Sequence, residues 1–509
     1  MFQFRPDKSQ ISITIGLALI PLFTSLSLLF GMLRADLGQY VPTFSDIYND
    51  SIYHWRQAYT FSATGFNGGY YTINELAAPL SFSHFYHHGP GYPVLYGTLG
   101  KLPGWQLSSS LWLNMALVSL ALVILQAGIP LTIRQRITSS LIVIAVFPVL
   151  IYMATGMAES LHHAGAILLA YLCWRLINER QSLALRPYIF LLAVITALTL
   201  TRPTWGILFI PVLLLRAPRW SLGNILLYSG IGAVCFVALY GFHTLLIAPY
   251  PFLDKSLGLE NGLIGAIELR LDRLTLNLEA WNRGIPVEIA QRYIVTALLP
   301  ATGVLWIVRR RAFSAEAIFH LANLGLPLAI NLFANDMTFY RDFRAMAPHL
   351  LLSLLVLIAC RRWLIPAVFI ALQAVMLPQF LTEYRATVEP QFTPGLVEQI
   401  TVFRDQTREV LTYDPLASSA WCNTLLFVME NRGDQVLAIP PELALIDPGI
   451  GLSFYIGYWG ETAPLTYPIR SHYLLLSENN RALIGENARL TLLVNTAAGG
   501  IYQNEDAEC

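Results

Sequence analysis

Apolar runs of bilayer-spanning length recur along this chain and leave it few folds to adopt. A transmembrane helix needs roughly 17 to 25 predominantly apolar residues. Runs of about this length lie near residues 11–33, 107–133, 137–155, 160–177, 187–201, 203–216, 221–248, 290–308, 315–334, 345–360 and 363–379. The sequence therefore predicts an all-α polytopic membrane protein with about eleven transmembrane helices.

The composition agrees with a membrane protein. Hydrophobic residues make up 55% of the 509 residues and charged residues only 13%, with a mean hydropathy of +0.53. A chain of this composition is far more apolar than an ordinary soluble protein. The formal net charge is zero and no long basic or acidic run occurs. Membrane lipids are therefore expected partners, whereas nucleic acid is not.

Basic residues are concentrated in short connectors between the apolar runs, which sets the expected orientation. The basic connectors follow every second apolar run, so all of them fall on one side of the membrane: TIRQRIT, INERQSLALR, LRAPRW, VRRRAF and CRRW. Because cytoplasmic loops carry the excess of Lys and Arg, we expect a cytoplasmic N-terminus in a bacterial-type inner (plasma) membrane. No small-residue cleavage site closes the long first run, so we interpret it as an uncleaved span. The loops 34–106, 249–289 and 335–344 then lie on the outer face.

The composition changes after residue 380. Charges return, and the strand-like runs TLLFVME, YLLLSE and RLTLLVN alternate with the turn-forming stretches NRGD and SENN. We therefore expect a transmembrane catalytic domain over residues 1–380 and a small extracytoplasmic α/β domain over residues 381–509. Cys422 and Cys509 both fall in this second domain and could form a disulfide.

One outer loop carries a helical apolar pattern. Between residues 263 and 281, apolar side chains recur at helical spacing and charged side chains lie among them. The pattern predicts an amphipathic helix on the outer membrane surface.

Two aspartates follow the first predicted span in a setting rich in aromatic residues. Asp46 and Asp50 are four positions apart, so on a helix they would share a face. Tyr48, Tyr53 and Trp55 surround them in the sequence. Aromatic neighbours would desolvate a carboxylate and make it a better general base, although two solvated loop acids would also fit the pattern.

The stretch Asp50-Ser51-Ile52-Tyr53-His54-Trp55 resembles the Asp-Glu-x-x-Tyr-type motif of the GT-C glycosyltransferases. These integral membrane enzymes include the protein O-mannosyltransferases and the lipid A aminoarabinose transferases. Four further stretches resemble elements of the same family, in the same order along the chain: His88-Gly89-Pro90-Gly91-Tyr92-Pro93, Met157-Ala158-Glu159-Ser160-Leu161, Thr201-Arg202-Pro203 and Arg344-Ala345-Met346-Ala347-Pro348. Ser51 departs from the motif, which usually has an acid there, so Asp46 stands as the alternative second carboxylate or base.

The resemblance implies transfer of a sugar, with inversion, from a polyprenyl-phosphate donor to an acceptor hydroxyl on the outer face. It implies that Asp50, or Asp46, is the catalytic base. Arginine and lysine at the outer membrane boundary would bind the donor phosphate. The implied substrate-binding residues are Tyr53, His88, Lys101, Glu159, Arg202, Arg341 and Arg344. The acceptor, which could be a lipid, a glycan or a protein, stays open.

Other interpretations of the same sequence stay open. A polytopic transporter would have a similar number of spans, and a non-catalytic scaffold or ligase of cell-envelope glycan assembly would share the large outer loops. Neither would need the early aspartate. His84, His87 and His88 are clustered but lack the spacing of a zinc site, so no protein-bound metal is expected. A divalent cation, Mg²⁺ or Mn²⁺, is an open cofactor because GT-C enzymes differ in this respect.

Overall fold

A computed structural model of the chain shows a helical bundle joined to a small mixed β-sheet. It describes residues 8–43, 50–80, 85, 88–179, 184–217, 221–248, 262–283, 289–297, 315–333, 344–428, 440–455, 468–477, 480–481, 484, 488–507 and 509. The α-helices are α1 Lys8–Ala18, α2 Ile20–Leu26, α3 Asp50–Thr64, α4 Gly91–Gly100, α5 Ser109–Gly128, α6 Ile133–Ala145, α7 Phe147–Met153, α8 Glu159–Glu179, α9 Leu185–Thr199, α10 Phe209–Arg216, α11 Leu222–Leu246, α12 Gly262–Glu279, α13 Ala315–Phe333, α14 Ala347–Ala359, α15 Leu364–Val375, α16 Leu377–Val388 and α17 Leu396–Thr407. Residues 289–297 are also helical.

Five helical segments of the described chain are long and apolar enough to cross a membrane. They are Ile11–Met32, Ser109–Gly128, Glu159–Glu179, Leu222–Leu246 and Ala315–Phe333. The count rises to seven if each of two bent helix pairs is one span. Three further apolar helices, Leu185–Thr199, Pro203–Arg216 and Ala347–Ala359, are shorter. A helical membrane protein is therefore confirmed, while the predicted number of about eleven spans is larger than this count.

Prolines account for the two bends. α6 and α7 meet at 69°, and Pro148 lies at the start of α7. α15 and the helical segment Leu377–Thr407 meet at 67°, with Pro378 at the start of α16. Proline has no N–H to donate and its ring clashes with the preceding turn, so a helix ends or kinks there. Apolar runs that read as continuous spans in the sequence are therefore divided in the structure.

The interior of the bundle is filled mainly by aliphatic side chains. Its largest buried cluster brings together residues of α5, α6, α8, α9 and α14, among them Leu122, Ile142, Ile167 and Leu351, which are fully buried. Long apolar faces elsewhere stay uncovered by protein, above all along α11. Lipid covers such faces in a membrane protein, so this distribution agrees with the predicted environment.

The sheet contains six strands, and one of them comes from the first loop. The strands are β1 Tyr71–Ile73, β2 Thr424–Val428, β3 Gly451–Tyr455, β4 Tyr473–Leu476, β5 Leu490–Thr496 and β6 Gly499–Asn504. Their order is β1-β3-β2-β4-β6-β5; the first four strands are parallel and the last two run antiparallel to their neighbours. Cys422 and Cys509 are disulfide-bonded. The expected small C-terminal sheet is present, and the first loop completes it.

Helix α3 and the segment that follows it hold this sheet domain against the bundle. The buried Arg56 guanidinium donates hydrogen bonds to the carbonyls of Ala444, Ile446, Asp447 and Ile450. The Glu75 carboxylate accepts hydrogen bonds from the amides of Arg470 and Ser471, at 2.7 and 2.8 Å. The proposed boundary at residue 380 lies within α16. Arg56 and Glu75 therefore tie the C-terminal domain to α3 and to the segment that follows it.

The amphipathic helix predicted over residues 263–281 is present as α12. The apolar side chains of Ile264, Ile267 and Leu271 are exposed on it. Its polar side chains contact the end of α13: the Asn277 amide donates to the carbonyl of Leu332 at 2.8 Å. The helix therefore presents an apolar face away from the bundle, as an interfacial helix does.

Candidate functional site

Asp50 is the first residue of α3 and is almost completely buried. Its exposed fraction is 4%. Helix N-termini carry partial positive charge, which favours a carboxylate at this position. The neighbouring Ser51 hydroxyl donates to the Pro42 carbonyl and fixes the start of the helix. The side chain of Asp50 thus has a defined position at the end of the helix.

Two cationic or ionisable side chains approach Asp50 from other parts of the chain. Nη1 of Arg344 lies 3.6 Å from Oδ2 of Asp50, and Nε2 of His88 lies 4.0 Å from the same oxygen. Arg344 comes from the turn that precedes α14, and His88 from the turn that precedes α4. About a quarter of the His88 side chain, 27%, is exposed, whereas the Asp50 side chain is only 6% exposed.

A second ion pair lies next to the first. Oε1 of Glu159 lies 2.6 Å from Nη2 of Arg202 and 4.0 Å from Nε of Arg344. Arg344 therefore contacts both carboxylates. We refer to Asp50, His88, Glu159, Arg202 and Arg344 as the Asp50 cluster.

The backbone explains how Arg202 and Glu159 reach the cluster. Arg202 has an extended conformation (φ −153°, ψ 112°), as expected for a residue that precedes a proline. It follows the end of α9 and directs the chain away from that helix. Glu159 is the first residue of α8, where its carboxylate faces the positive end of the helix. The cluster thus forms where several apolar helices of the bundle begin or end.

The Asp50 cluster retains unused hydrogen-bonding capacity. Nη1 of Arg202 and Oε2 of Glu159 are buried and have no hydrogen-bond partner among the described residues. Buried polar atoms are usually paired, and those left unpaired in a native structure call for a ligand, an ion or water. A guanidinium N–H directed into a buried site is suited to a phosphate or carboxylate oxygen.

Histidines surround the cluster on its bundle side. The ring of His54 lies 4.9 Å from that of His88 and 5.0 Å from that of Tyr92. Burial lowers the pKa of His54 to about 4; Glu159 opposes this effect, while Arg202 and Arg344 add to it. His54 is therefore neutral at pH 7. Sequence reasoning did not identify it, although its position four residues after Asp50 places both side chains on one face of α3.

More deeply buried histidines are held by hydrogen bonds. The Trp205 indole donates to Nδ1 of His162 at 3.0 Å, and Nδ1 of His349 lies 2.9 Å from Oδ1 of Asn323. The Trp205 ring also lies 4.7 Å from that of His349. These contacts fix the α8, α13 and α14 segments behind Arg202.

Two glycines bring the turn at His88 close to the chain that carries Arg202. A Cβ atom at Gly91 would lie 2.0 Å from Cγ2 of Thr201, and one at Gly89 would lie 2.6 Å from the Leu200 carbonyl oxygen. The Gly91 amide donates to that same carbonyl at 3.3 Å. Gly89 also has a left-handed conformation, with φ +81°. The close packing of this segment against residues 200–201 therefore explains why glycine stands at both positions.

The remaining predicted site residues lie elsewhere or cannot be placed. Tyr53 points to the sheet domain, where its buried ring lies 5.4 Å from that of Phe454. Lys101 is exposed at the end of α4, with its ammonium 6.0 Å from the centre of the Phe61 ring. Asp46 and Arg341 lie outside the described residues. The structure thus brings together five of the predicted residues, those of the Asp50 cluster.

Metal binding has no preformed centre in the described part of the chain. No three His, Cys, Asp or Glu side chains there are grouped so as to hold a metal ion. His84 and His87 lie outside the described residues. The divalent cation therefore stays an untested prediction.

Comparison with known proteins adds no family assignment. No protein-family model matches the sequence, and a search of curated proteins finds no significant match. The chemistry must therefore be argued from the cluster itself. A buried carboxylate beside a guanidinium can accept a proton from a hydroxyl, while two neighbouring arginines can stabilise a departing anion.

Proposed function

We propose that this protein is an integral membrane glycosyltransferase of GT-C type. It transfers a sugar from a polyprenyl-phosphate-linked donor to an acceptor hydroxyl on the outer face of the membrane, with inversion at the anomeric carbon. The observation that carries the proposal is the approach of the Arg344 guanidinium to both the Asp50 and the Glu159 carboxylates, at 3.6 and 4.0 Å. General base and phosphate contact are then adjacent, as the reaction requires.

Asp50 acts as the general base in this proposal. The acceptor oxygen attacks the anomeric carbon and loses its proton to the Asp50 carboxylate. The bond from the anomeric carbon to the phosphate oxygen breaks at the same time, and its electron pair leaves with the polyprenyl phosphate. A positioned base of this kind typically contributes about 10² to 10⁴ in rate.

Arg202 and Arg344 bind the departing phosphate. Nη1 of Arg202 has no described hydrogen-bond partner, so it can bind a phosphate oxygen without first breaking the ion pair to Glu159. Glu159 is a positioning residue here: its Oε1 lies 2.6 Å from Nη2 of Arg202 and 4.0 Å from Nε of Arg344, so it holds both arginines in place. His88, the most exposed of the five side chains, is suited to contact the acceptor or the donor sugar.

The proposed topology follows the distribution of basic connectors. The N-terminus lies in the cytoplasm, about eleven helices or helix pairs cross a bacterial-type plasma membrane, and the sheet domain lies outside it. The Asp50 cluster then sits at the outer membrane boundary, where the phosphate of a lipid-linked donor meets water. Together with the five long segments and the two bent pairs, the three shorter apolar helices give ten spans, and the run near 290–308 would be the eleventh.

A comparison of a gene-deletion strain with wild type tests the function. The proposal predicts that the deletion removes one sugar modification from the membrane glycans or glycolipids, and that the corresponding polyprenyl-phosphate sugar accumulates. Both changes should be reversed by the wild-type gene. Loss of the modification without accumulation of donor would favour a scaffold, and an unchanged glycan profile with altered solute uptake would favour a transporter.

A further inference from the structure

A cavity lies at the other end of the bundle from the Asp50 cluster. α14 begins three residues after Arg344 and ends at Ala359, and the cavity lies beyond that end, beside the connector that leads into α6. Its volume is about 300 Å³, at the lower end of the range of ligand pockets. Gln135 joins its two sides, because its amide donates to the Ile358 carbonyl at 2.8 Å.

The cavity is basic. Arg134 and Arg361 line it together with Trp363, and the Arg134 guanidinium lies 4.7 Å from the centre of the Trp363 ring. Neither arginine forms an ion pair with a carboxylate in the part of the chain that the structure describes. The adjacent Arg362 differs, because its Nε lies 3.4 Å from Oε1 of Glu316. Two cations therefore face this cavity with no described counter-charge.

Other polar groups at the cavity are already engaged. Thr132 and Gln135 form a capping box at the start of α6, in which each side chain accepts a hydrogen bond from the other's backbone amide. An anion in the cavity would therefore be held by the guanidinium groups rather than by these two amides. Arg361 has a left-handed backbone (φ +63°) because it ends α14 in a helix cap, in which the Arg361 amide donates to the Ile358 carbonyl and the Arg362 amide to the Leu357 carbonyl.

Two exposed apolar strips lead away from the cavity. Ile133, Ile137 and Leu141 recur every four residues on α6, and Leu364, Val368 and Leu372 do so on α15. All six side chains are exposed, from 39% for Ile137 and Leu141 to 65% for Leu364. α6 and α15 pack against each other, so the two strips lie on neighbouring helices. A basic pocket beside two exposed apolar strips matches the shape of an amphipathic anion.

We propose that this cavity binds the phosphate head group of an anionic phospholipid, whose acyl chains lie along the two strips. Arg134 and Arg361 hold the phosphate, and Trp363 lies at the level of the head groups, where aromatic residues concentrate. A free phosphate would satisfy the arginines but leave the strips unused. Basic pockets between transmembrane helices bind lipid head groups in the same way. The proposal is independent of the reaction at the Asp50 cluster.

The test compares lipid binding by the full-length protein and by charge variants. Native mass spectrometry, with the purified protein titrated with phosphatidylglycerol, gives the apparent affinity. The double variant Arg134→Gln/Arg361→Asn removes both cations, and asparagine tolerates the left-handed backbone at residue 361. Each arginine should contribute about fivefold, equivalent to about 1 kcal/mol, so the double variant should bind roughly 25-fold more weakly.

Two controls separate the site from bulk charge and from free phosphate. Arg186→Gln removes an exposed arginine near the start of α9, at the same end of the bundle but outside the cavity, and should change the affinity less than about twofold. Inorganic phosphate, added to protein that has bound phosphatidylglycerol in phosphatidylcholine nanodiscs, should not displace the bound phosphatidylglycerol. If the double variant misfolds, the single variant Arg134→Gln should still show the fivefold loss.

Three results would overturn the proposal. One is equal binding of phosphatidylglycerol by wild type and by a folded variant that lacks Arg134. Another is an equal loss of affinity in Arg186→Gln, which would assign the effect to bulk charge. The third is displacement of the lipid by inorganic phosphate, which would make the cavity a site for the free anion.

Discussion

Glu159 connects the two halves of the Asp50 cluster at the level of single residues. One of its oxygens faces both Arg202 and Arg344, at 2.6 and 4.0 Å, and the side chain is almost fully buried. Removing one partner of a buried ion pair leaves the other charge uncompensated, which costs about 3 to 5 kcal/mol. Folding must also remove both charges from water, which offsets most of the attraction between them. The pair is therefore expected to matter more for the shape of the site than for net stability.

We predict that Glu159→Gln lowers the free energy of unfolding by about 3 kcal/mol, because Arg202 then stays buried without its counter-charge. Unfolding in mixed detergent and SDS would measure the change. The double variant Glu159→Gln/Arg202→Gln is the control and should lose less than the single variant, since it does not leave Arg202 buried without its counter-charge. Equal stability of Glu159→Gln and wild type would mean that the pair is not formed.

His54 makes the stability of the folded protein depend on pH. Burial lowers its pKa to about 4, from an ordinary value of 6.5. The unfolded chain then binds a proton more readily than the folded one between these two values, so stability falls as the pH falls from about 6.5 to about 4. From pH 7 to pH 5 the expected loss is roughly 2 kcal/mol.

The variant His54→Asn should lose less stability than wild type over this pH interval. The measurement is the thermal unfolding midpoint of both proteins at pH 7 and at pH 5, in the same detergent. The other buried histidines are common to both proteins, so the difference between the two pH dependences belongs to His54. Parallel pH dependences would contradict the neutral, buried state assigned to this side chain.

At the scale of elements, α3 has two functional faces. Asp50 and His54 face the cluster, whereas Tyr53 and Arg56 face the sheet domain. The sequence singled out Asp50 and considered a helix there only as a condition, and the family resemblance assigned Tyr53 to the substrate. Helical spacing alone does not separate the two sets, because residue 53 is an i, i+3 neighbour of residue 50 and residue 54 is an i, i+4 neighbour. That the second face packs against residues 444–450 could not be read from local pattern.

The start of α4 is a second element whose packing the sequence left undetermined. Gly91→Ala would place a Cβ atom 2.0 Å from Cγ2 of Thr201, next to Arg202. We predict that it lowers the free energy of unfolding by about 1 to 3 kcal/mol, as overpacking does. Transfer activity should fall as well, because α4 and the Arg202 segment must separate. Unfolding and activity assays on the same preparation would measure both effects.

Gly241→Ala is the matched control for this substitution. Gly241 lies within α11, and no atom outside the helix backbone lies within 4 Å of a Cβ built there. Alanine is a better helix former than glycine, so this variant should be neutral or slightly more stable. The double variant Gly91→Ala/Thr201→Ser, which lacks the clashing methyl group, should recover part of the loss. A Gly91→Ala protein that behaves like Gly241→Ala would contradict the close contact.

At the scale of the whole molecule, hydropathy predicted the class and most of the helices. All eleven predicted apolar runs contain helix among the described residues, although the run near 290–308 is described only as far as residue 297. Bends at Pro148 and Pro378 divide two of these runs, and others are short. Hydropathy averages over a window, so it does not register where a proline interrupts a helix. This is why the number of spans was harder to predict than their existence.

The mixed sheet shows a second limit of sequence reasoning at this scale. Three of the strands near the C-terminus, β2, β4 and β5, were visible as apolar runs, whereas β3 and β6 were not, and β1 is only three residues long and lies in the first loop. Its pairing with β3 spans several hundred residues of sequence. Such non-local pairing depends on the tertiary fold, which one sequence does not reveal. The result is that the loop carrying Asp50 and the C-terminal domain form one structural unit.

The central claim is that Asp50 is the base in sugar transfer, and one measurement tests it most directly. Wild type, Asp50→Asn and Asp46→Asn would be expressed at matched levels in the deletion strain, and the gene-dependent sugar modification would be quantified. The account predicts at least about a 100-fold lower initial rate of modification for Asp50→Asn, with Asp46→Asn close to wild type. Near wild-type modification by a folded Asp50→Asn protein would contradict the account.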